Sequence, residues 1–93
     1  MQMPSFEEFK ATSLAAGYDE VLVREWQANQ EIASHEHPFA VTALVVKGEM
    51  WLTLDGQTRH LLPGDRFEVG LRTKHAERYG PQGTTFWVAR KNG

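Results

Sequence analysis

The sequence predicts an all-β domain, an antiparallel barrel or sandwich, with one short helix in front of it. Three observations carry that prediction. From Tyr18 onward the helical period disappears, and short runs rich in Val, Leu, Thr and Trp follow one another. Turn signals punctuate those runs at short intervals: Lys47-Gly48, Asp55-Gly56, Pro63-Gly64-Asp65 and Gly80-Pro81-Gln82-Gly83. The length of 93 residues suits a single core, because so short a chain buries only about two-thirds of its unfolded surface.

The helix comes first. Ser5 is followed three residues later by Glu8, a capping box, with Pro4 ahead of it and Gly17 as a stop, which sets a helix over residues 6–16. Phe6, Phe9 and Ala16 fall near one face and Leu14 strays from it, so this helix is expected to lie on a larger body. Strands are expected near residues 19–26, 40–46, 49–54, 57–62, 66–69, 75–79 and 84–90. Asp55-Gly56, between MWLTL and QTRHLL, is the strongest hairpin signal, since a type I′ turn needs positive φ at both central residues. Lys47-Gly48 reads as a second tight turn. No repeat or low-complexity segment interrupts the chain, which divides into a helical extension over residues 1–17 and a barrel domain over 18–93.

Composition narrows the function classes. Hydrophobic residues make up 41% and charged residues 24%, as in an ordinary globular domain. The net charge of −2, with ten basic and twelve acidic residues intermixed, provides no basic stripe for phosphates, so nucleic acid is not an expected partner. With no cysteine, disulfides and thiolate metal sites are excluded. No apolar run approaches the roughly 18 residues of a membrane span, and Glu7 and Glu8 stand where a signal peptide would be basic and then apolar. The expectation is a cytoplasmic protein without a membrane partner. The run VLVREW carries Val21 and Val23 on one face and Leu22 and Trp26 on the other, which suits a strand buried between the subunits of a homodimer.

The chemistry is concentrated in SHEHPFAVTALVVKGE, residues 34–49. Side chains alternate along a strand, so His35 and His37 point to the same side, ~6.6 Å apart. Two ligands of one metal ion and two solvated surface histidines both meet that description. His75 follows 38 residues after His37, just before another strand-like run, and the three imidazoles would meet if the two segments were neighbours.

These residues resemble the two motifs of the cupins. His35, His37 and Gly48 stand at the spacing of the first motif, and Gly64 precedes His75 by the eleven residues of the second. The stretch KGEMWLTLDGQ…LLPGD between the motifs is similar to that of small single-domain cupins, and the resemblance covers roughly residues 20–90. Several motif positions differ: Asn29 and Arg72 replace glycines, Val41 the glutamate, Gly70 the proline and Tyr79 the asparagine. The resemblance implies a jelly-roll β-barrel with a divalent metal ion, Fe, Mn, Ni or Zn, held by His35, His37 and His75 without the usual glutamate. A three-histidine site of that kind would keep the full double charge of its ion and favour anionic or chelating ligands.

Glu77 is the carboxylate that alternation offers instead. If His75 faces the interior, Glu77 and Tyr79 share its face, and Glu77 would ligate the ion weakly or act as a general base. If the strand begins later or carries a bulge, Glu77 is a solvated residue paired with Arg78 or a neighbouring strand. Among the remaining residues, His60 reads as a surface or interface histidine. Trp26, Trp51 and Trp87 fill core or interface, with a pocket-lining role as the alternative for one of them. The arginines Arg24, Arg66, Arg72, Arg78 and Arg90 read mostly as solvated strand faces, an inward one being able to clamp a carboxylate. There is no P-loop, G-x-G-x-x-G or nucleophile elbow. Two functions follow: a metal-dependent enzyme on a small anionic molecule, such as a dioxygenase or isomerase, or a non-catalytic ligand-binding or sensor cupin, metal-supported or metal-free.

Overall fold

Ser5 caps the first helix as its spacing predicts. Its hydroxyl accepts the Glu8 N–H at 3.1 Å, the Glu8 carboxylate accepts the Ser5 N–H at 2.9 Å, and α1 runs over Phe6–Ala15. Gly17, at φ +98, turns the chain out of the helix. The computed structural model describes residues 3–92. Met1, Gln2 and Gly93, at the two ends of the predicted extension and barrel, lie outside the described residues.

After α1 the chain is antiparallel β-structure: β1 Glu20–Trp26, β2 Glu31–His35, β3 Phe39–Leu54, β4 Gln57–Leu61, β5 Arg66–Val69 and β6 His75–Asn92. The pairing order is β1-β6-β3-β4, with β2 also on β6 and β5 also on β3. The spine is the long pair of β3 and β6, in register from Phe39 opposite Asn92 to Leu54 opposite His75. Each was expected as two strands broken by a turn, and each is continuous. Lys47-Gly48 is therefore not a turn. It lies between register shifts at Val45/Lys47 and Gly48/Met50, which bend β3 as β-bulges do.

The reason is that a bulge and a tight turn ask for the same residue. Gly48 has φ +77, and a Cβ there would stand 3.0 Å from the Gly83 carbonyl carbon and 3.1 Å from the Thr84 Cα of the facing strand. Only glycine permits both the backbone angle and the approach. At Asp55-Gly56 the turn is real: φ is 53 and 75, and Leu54 pairs with Gln57. The strand β2 was absent from the predicted set. Its exposed side chains at Glu31, Ala33 and Ser34 give it no clean alternation to read.

Inward residues of β3, β5 and β6, among them Val41, Ala43, Val45, Phe67, Phe86 and Val88, form the barrel core with Met50, Leu52, Leu61 and Tyr79. A smaller cluster of Phe9, Leu44 and Ala89 lies outside the barrel wall, where α1 covers it. Trp87 meets Phe6 edge-on at 5.4 Å and Phe9 at 5.9 Å, so it is the residue that seats the helix. The two-faced pattern of β1 is largely satisfied within the chain. Val21 packs under α1, Leu22 and Trp26 join the barrel core, and Val23 alone remains 48% exposed. No helix among the described residues is long and apolar enough to cross a membrane.

Candidate metal centre

His35 closes β2, His37 stands two residues on, and His75 opens β6 directly opposite His35 in the pairing. A backbone bond holds the two segments together, with the Arg72 N–H donating to the His37 carbonyl at 2.9 Å. The three ring centroids are 4.4 to 4.8 Å apart. One nitrogen from each ring lies within 4.8 Å of the others. Two ligands of a tetrahedral zinc-like ion would be about 3.4 Å apart, so a set with this spacing would have to close by at most about 1.4 Å to share one ion.

Hydrogen bonds fix the orientation of two of the rings. Nδ1 of His35 meets the Ala33 carbonyl at 2.8 Å, and Nδ1 of His75 meets the Thr73 carbonyl at 2.9 Å. A carbonyl accepts only, so Nδ1 carries the proton in each and the Nε2 lone pair is free. His37 differs. Its Nδ1 is buried without a partner, and the ring lies flat on Phe39 at 4.7 Å, so packing rather than hydrogen bonding sets its orientation. Burial, and then the charges of His75, His35, Arg90 and Arg24, lower its pKa to about 4. It is neutral near pH 7, the state a ligand needs.

Glu77 lies beside these rings rather than in solvent. Its side chain is 9% exposed, with Oε2 3.6 Å from His35 Nε2. The Tyr79 hydroxyl donates to Oε1 at 2.8 Å. Burial and the adjacent Glu77 carboxylate push the Tyr79 phenol well above its usual range, so it stays a donor at any physiological pH. Val41, at the glutamate position of the resemblance, is 7% exposed and presents only methyl groups to the same space. The glycine positions filled by Asn29 and Arg72 keep the glycine conformation, at φ 59 and 55.

The three histidines and Glu77 line a chamber of about 220 Å³ inside the barrel. Its apolar wall includes Phe39, Val41, Phe67, Val69, Phe86 and Val88. Two arginines that read as solvated faces in the sequence, Arg24 and Arg90, also line it. The signal for them was in the alternation: Arg24 is in phase with Leu22 and Trp26, and Arg90 with Phe86 and Val88. Trp26 takes the pocket-lining role left open for one tryptophan, stacked on Tyr79 at 4.9 Å. Outside the barrel, His60 stacks on Trp51 at 4.6 Å and reaches Glu49 at 3.4 Å, away from the chamber. Arg78 covers the other side of the Trp51 ring at 4.1 Å.

Residues 17–88 match the family model of the AraC-like ligand binding domain. The chain belongs to that family. The matched span begins at Gly17, just after α1, and contains Arg24, all three chamber histidines and Glu77, while Arg90 falls beyond it. No curated protein matches the chain. Solved structures place this AraC-like domain among the cupins. A conserved protein with a double-stranded β-helix domain from Klebsiella pneumoniae is 32% identical, with a TM-score of 0.67, over 78% of this chain and 66% of that one. An RmlC-like cupin from Shewanella frigidimarina is 25% identical at a TM-score of 0.67, over 80% of this chain and 68% of that one. The DMSP lyase DddQ from Ruegeria pomeroyi shares the fold at a TM-score of 0.71 and 23% identity, and the AraC-like domain spans 37% of its length. The jelly-roll β-barrel with a short N-terminal helix is thus the architecture of this chain.

Proposed function

We propose that this cupin domain binds a small anionic molecule in its barrel at a divalent metal ion, Fe, Mn, Ni or Zn, held by His35, His37 and His75. The observation that carries this reading is the convergence of three imidazoles from two segments on one chamber, two of them with Nδ1 tied to backbone carbonyls. The donor set fits an ion in chemistry and in spacing. Bound there, the ion would supply Lewis acidity. The protein's own part is to keep the imidazoles neutral, to exclude bulk water with an apolar wall, and to hold Glu77 as a proton acceptor fixed by Tyr79 beside His35. Glu77 takes over, at the edge of the site, the negative charge that Val41 does not provide.

A second reading, a ligand-binding or sensor domain without catalysis, is supported by the family description and by Val41 at the glutamate position. In either case the barrel domain starts at residue 18, α1 is an extension, and the unit is a homodimer whose exposed Val23 on β1 suits a subunit contact.

Elemental analysis of untagged protein purified without added metal tests the centre. One divalent ion per chain is expected, lost in His75→Ala, and a variant that keeps its metal overturns the assignment. Glu77→Gln keeps the shape and removes the charge. It should weaken metal affinity or ligand-dependent activity, and equality with the parent would end its assigned role. Following candidate ligands by NMR in the presence of the protein separates conversion from binding alone.

A further inference from the structure

The chamber holds a second polar element besides the histidine cluster, one without an ion-pair partner among the described residues. Arg24, on β1, lines the cavity and has no carboxylate within ion-pair distance among the described residues. Arg90, which shares the cavity, is already paired, 3.1 Å from Glu20 Oε1, and lies over the Phe39 ring of the chamber wall at 4.7 Å. Glu77 is bonded to Tyr79 and faces His35. Arg24 lies over the Trp26 ring at 4.9 Å. Its side chain makes no hydrogen bond among the described residues, and a guanidinium has a fork of N–H donors that matches a carboxylate.

The rest of the wall defines the remainder of the ligand. Among the described residues, no Ser, Thr, Asn, Gln or Asp lines the chamber. The hydrogen-bonding groups of the wall are the histidines, Glu77, the two arginines and the buried, unpartnered Trp26 indole N–H, and a polyhydroxylated molecule would leave unpaired any hydroxyl turned to the Phe and Val side chains. An apolar body suits the Phe and Val side chains instead. A volume of about 220 Å³ admits on the order of seven to ten heavy atoms.

We infer that Arg24 is the carboxylate-recognition residue of this chamber, and that its ligand is a short monocarboxylic acid with an apolar body rather than a polyol. This rests on the chamber being a ligand site, as proposed above, and not on the ion.

The test is calorimetric titration of full-length protein, both stripped on a chelating resin and reconstituted with zinc. The probes are hexanoate and benzoate, their amides, and a pentose. Both carboxylates should bind. The amides and the pentose should bind much more weakly. Arg24→Gln should lower carboxylate affinity roughly 10- to 100-fold and leave amide binding unchanged. Arg24→Lys, which keeps the charge and loses the fork, should fall between them, and Arg90→Gln should have the smaller effect. Circular dichroism melts of each variant confirm the fold. Equal binding of acid and amide, unaltered carboxylate affinity in Arg24→Gln, or no carboxylate binding in either form up to ~10 mM overturns the inference. Zinc uptake is measured separately, so failure of the metal centre appears as absent uptake while the Arg24 comparison stands.

Discussion

Gly48→Ala tests the crossing on which the barrel is built. Gly48 sits at φ +77, and an added Cβ meets backbone of β6, the Gly83 carbonyl carbon at 3.0 Å and the Thr84 Cα at 3.1 Å. Two costs follow. Holding an alanine in the left-handed region costs about 1–2 kcal/mol. Displacing a paired strand, which unlike a side-chain tip cannot swing away, adds about 1–3 kcal/mol of overpacking. The sum, about 2–5 kcal/mol, is a large share of the roughly 5–14 kcal/mol expected for 93 residues. It corresponds to a fall in Tm of ~8–40 °C. Gly56→Ala is the control: its φ is +75, nearly the same, and a Cβ there meets nothing within 4 Å. It should lose only the conformational cost, about 1–2 kcal/mol. Urea unfolding followed by far-UV circular dichroism compares the two directly. If both variants lose the same stability, the close approach of β3 and β6 at Gly48 is wrong, whatever the size of the loss.

Three further outcomes are expected. Tyr79→Phe removes the only side-chain donor described for Glu77 Oε1 and should cost about 1–3 kcal/mol, less once Glu77→Gln has already been made; independent, additive losses would contradict the bond. The metal-free protein should lose stability as pH falls from about 6.5 toward 4. The folded pKa of His37 is about 4 against 6.5 in the unfolded chain, so within that window unfolding takes up a proton the native state excludes. Urea midpoints measured across the window should fall with pH, and a His37→Asn variant with an undiminished slope would refute this source. Phe9→Ala should cost about 3–5 kcal/mol by emptying the contact under Trp87, with a change in near-UV circular dichroism; an unaltered near-UV spectrum would mean α1 is not seated there.

The chemistry of the site was only half legible before the fold was known. His35 and His37 announce themselves by spacing, and His75 by its distance from Gly64 in a cupin-like pattern. Glu77 followed from alternation with His75, because β6 runs from His75 to Tyr79 in unbroken register with β3, the irregularity opposite it falling in β2 between Ile32 and His35. Arg24 and Arg90 shared the phase of apolar neighbours, yet a charged residue on an apolar face reads equally well as a side chain that snorkels to water. Which of the two holds depends on whether the opposite wall closes over it. That wall comes from β3 and β5, far away in sequence.

What the sequence determined by itself is local. The capping box at Ser5 and Glu8, the type I′ turn at Asp55-Gly56 and the shared face of His35 and His37 each depend on residues within a few positions of one another, where covalent geometry and φ preference act alone. The tertiary structure decided whether a glycine interrupts a strand or bends it, since Gly48 can serve a turn or a bulge and only the presence of Gly83 and Thr84 opposite selects the bulge. It likewise decided which charges share a chamber. Arg24 sits opposite Phe86 and His35 opposite His75, pairings made across 62 and 40 residues of chain, and periodicity fixes the face a side chain takes without specifying what lies across from it.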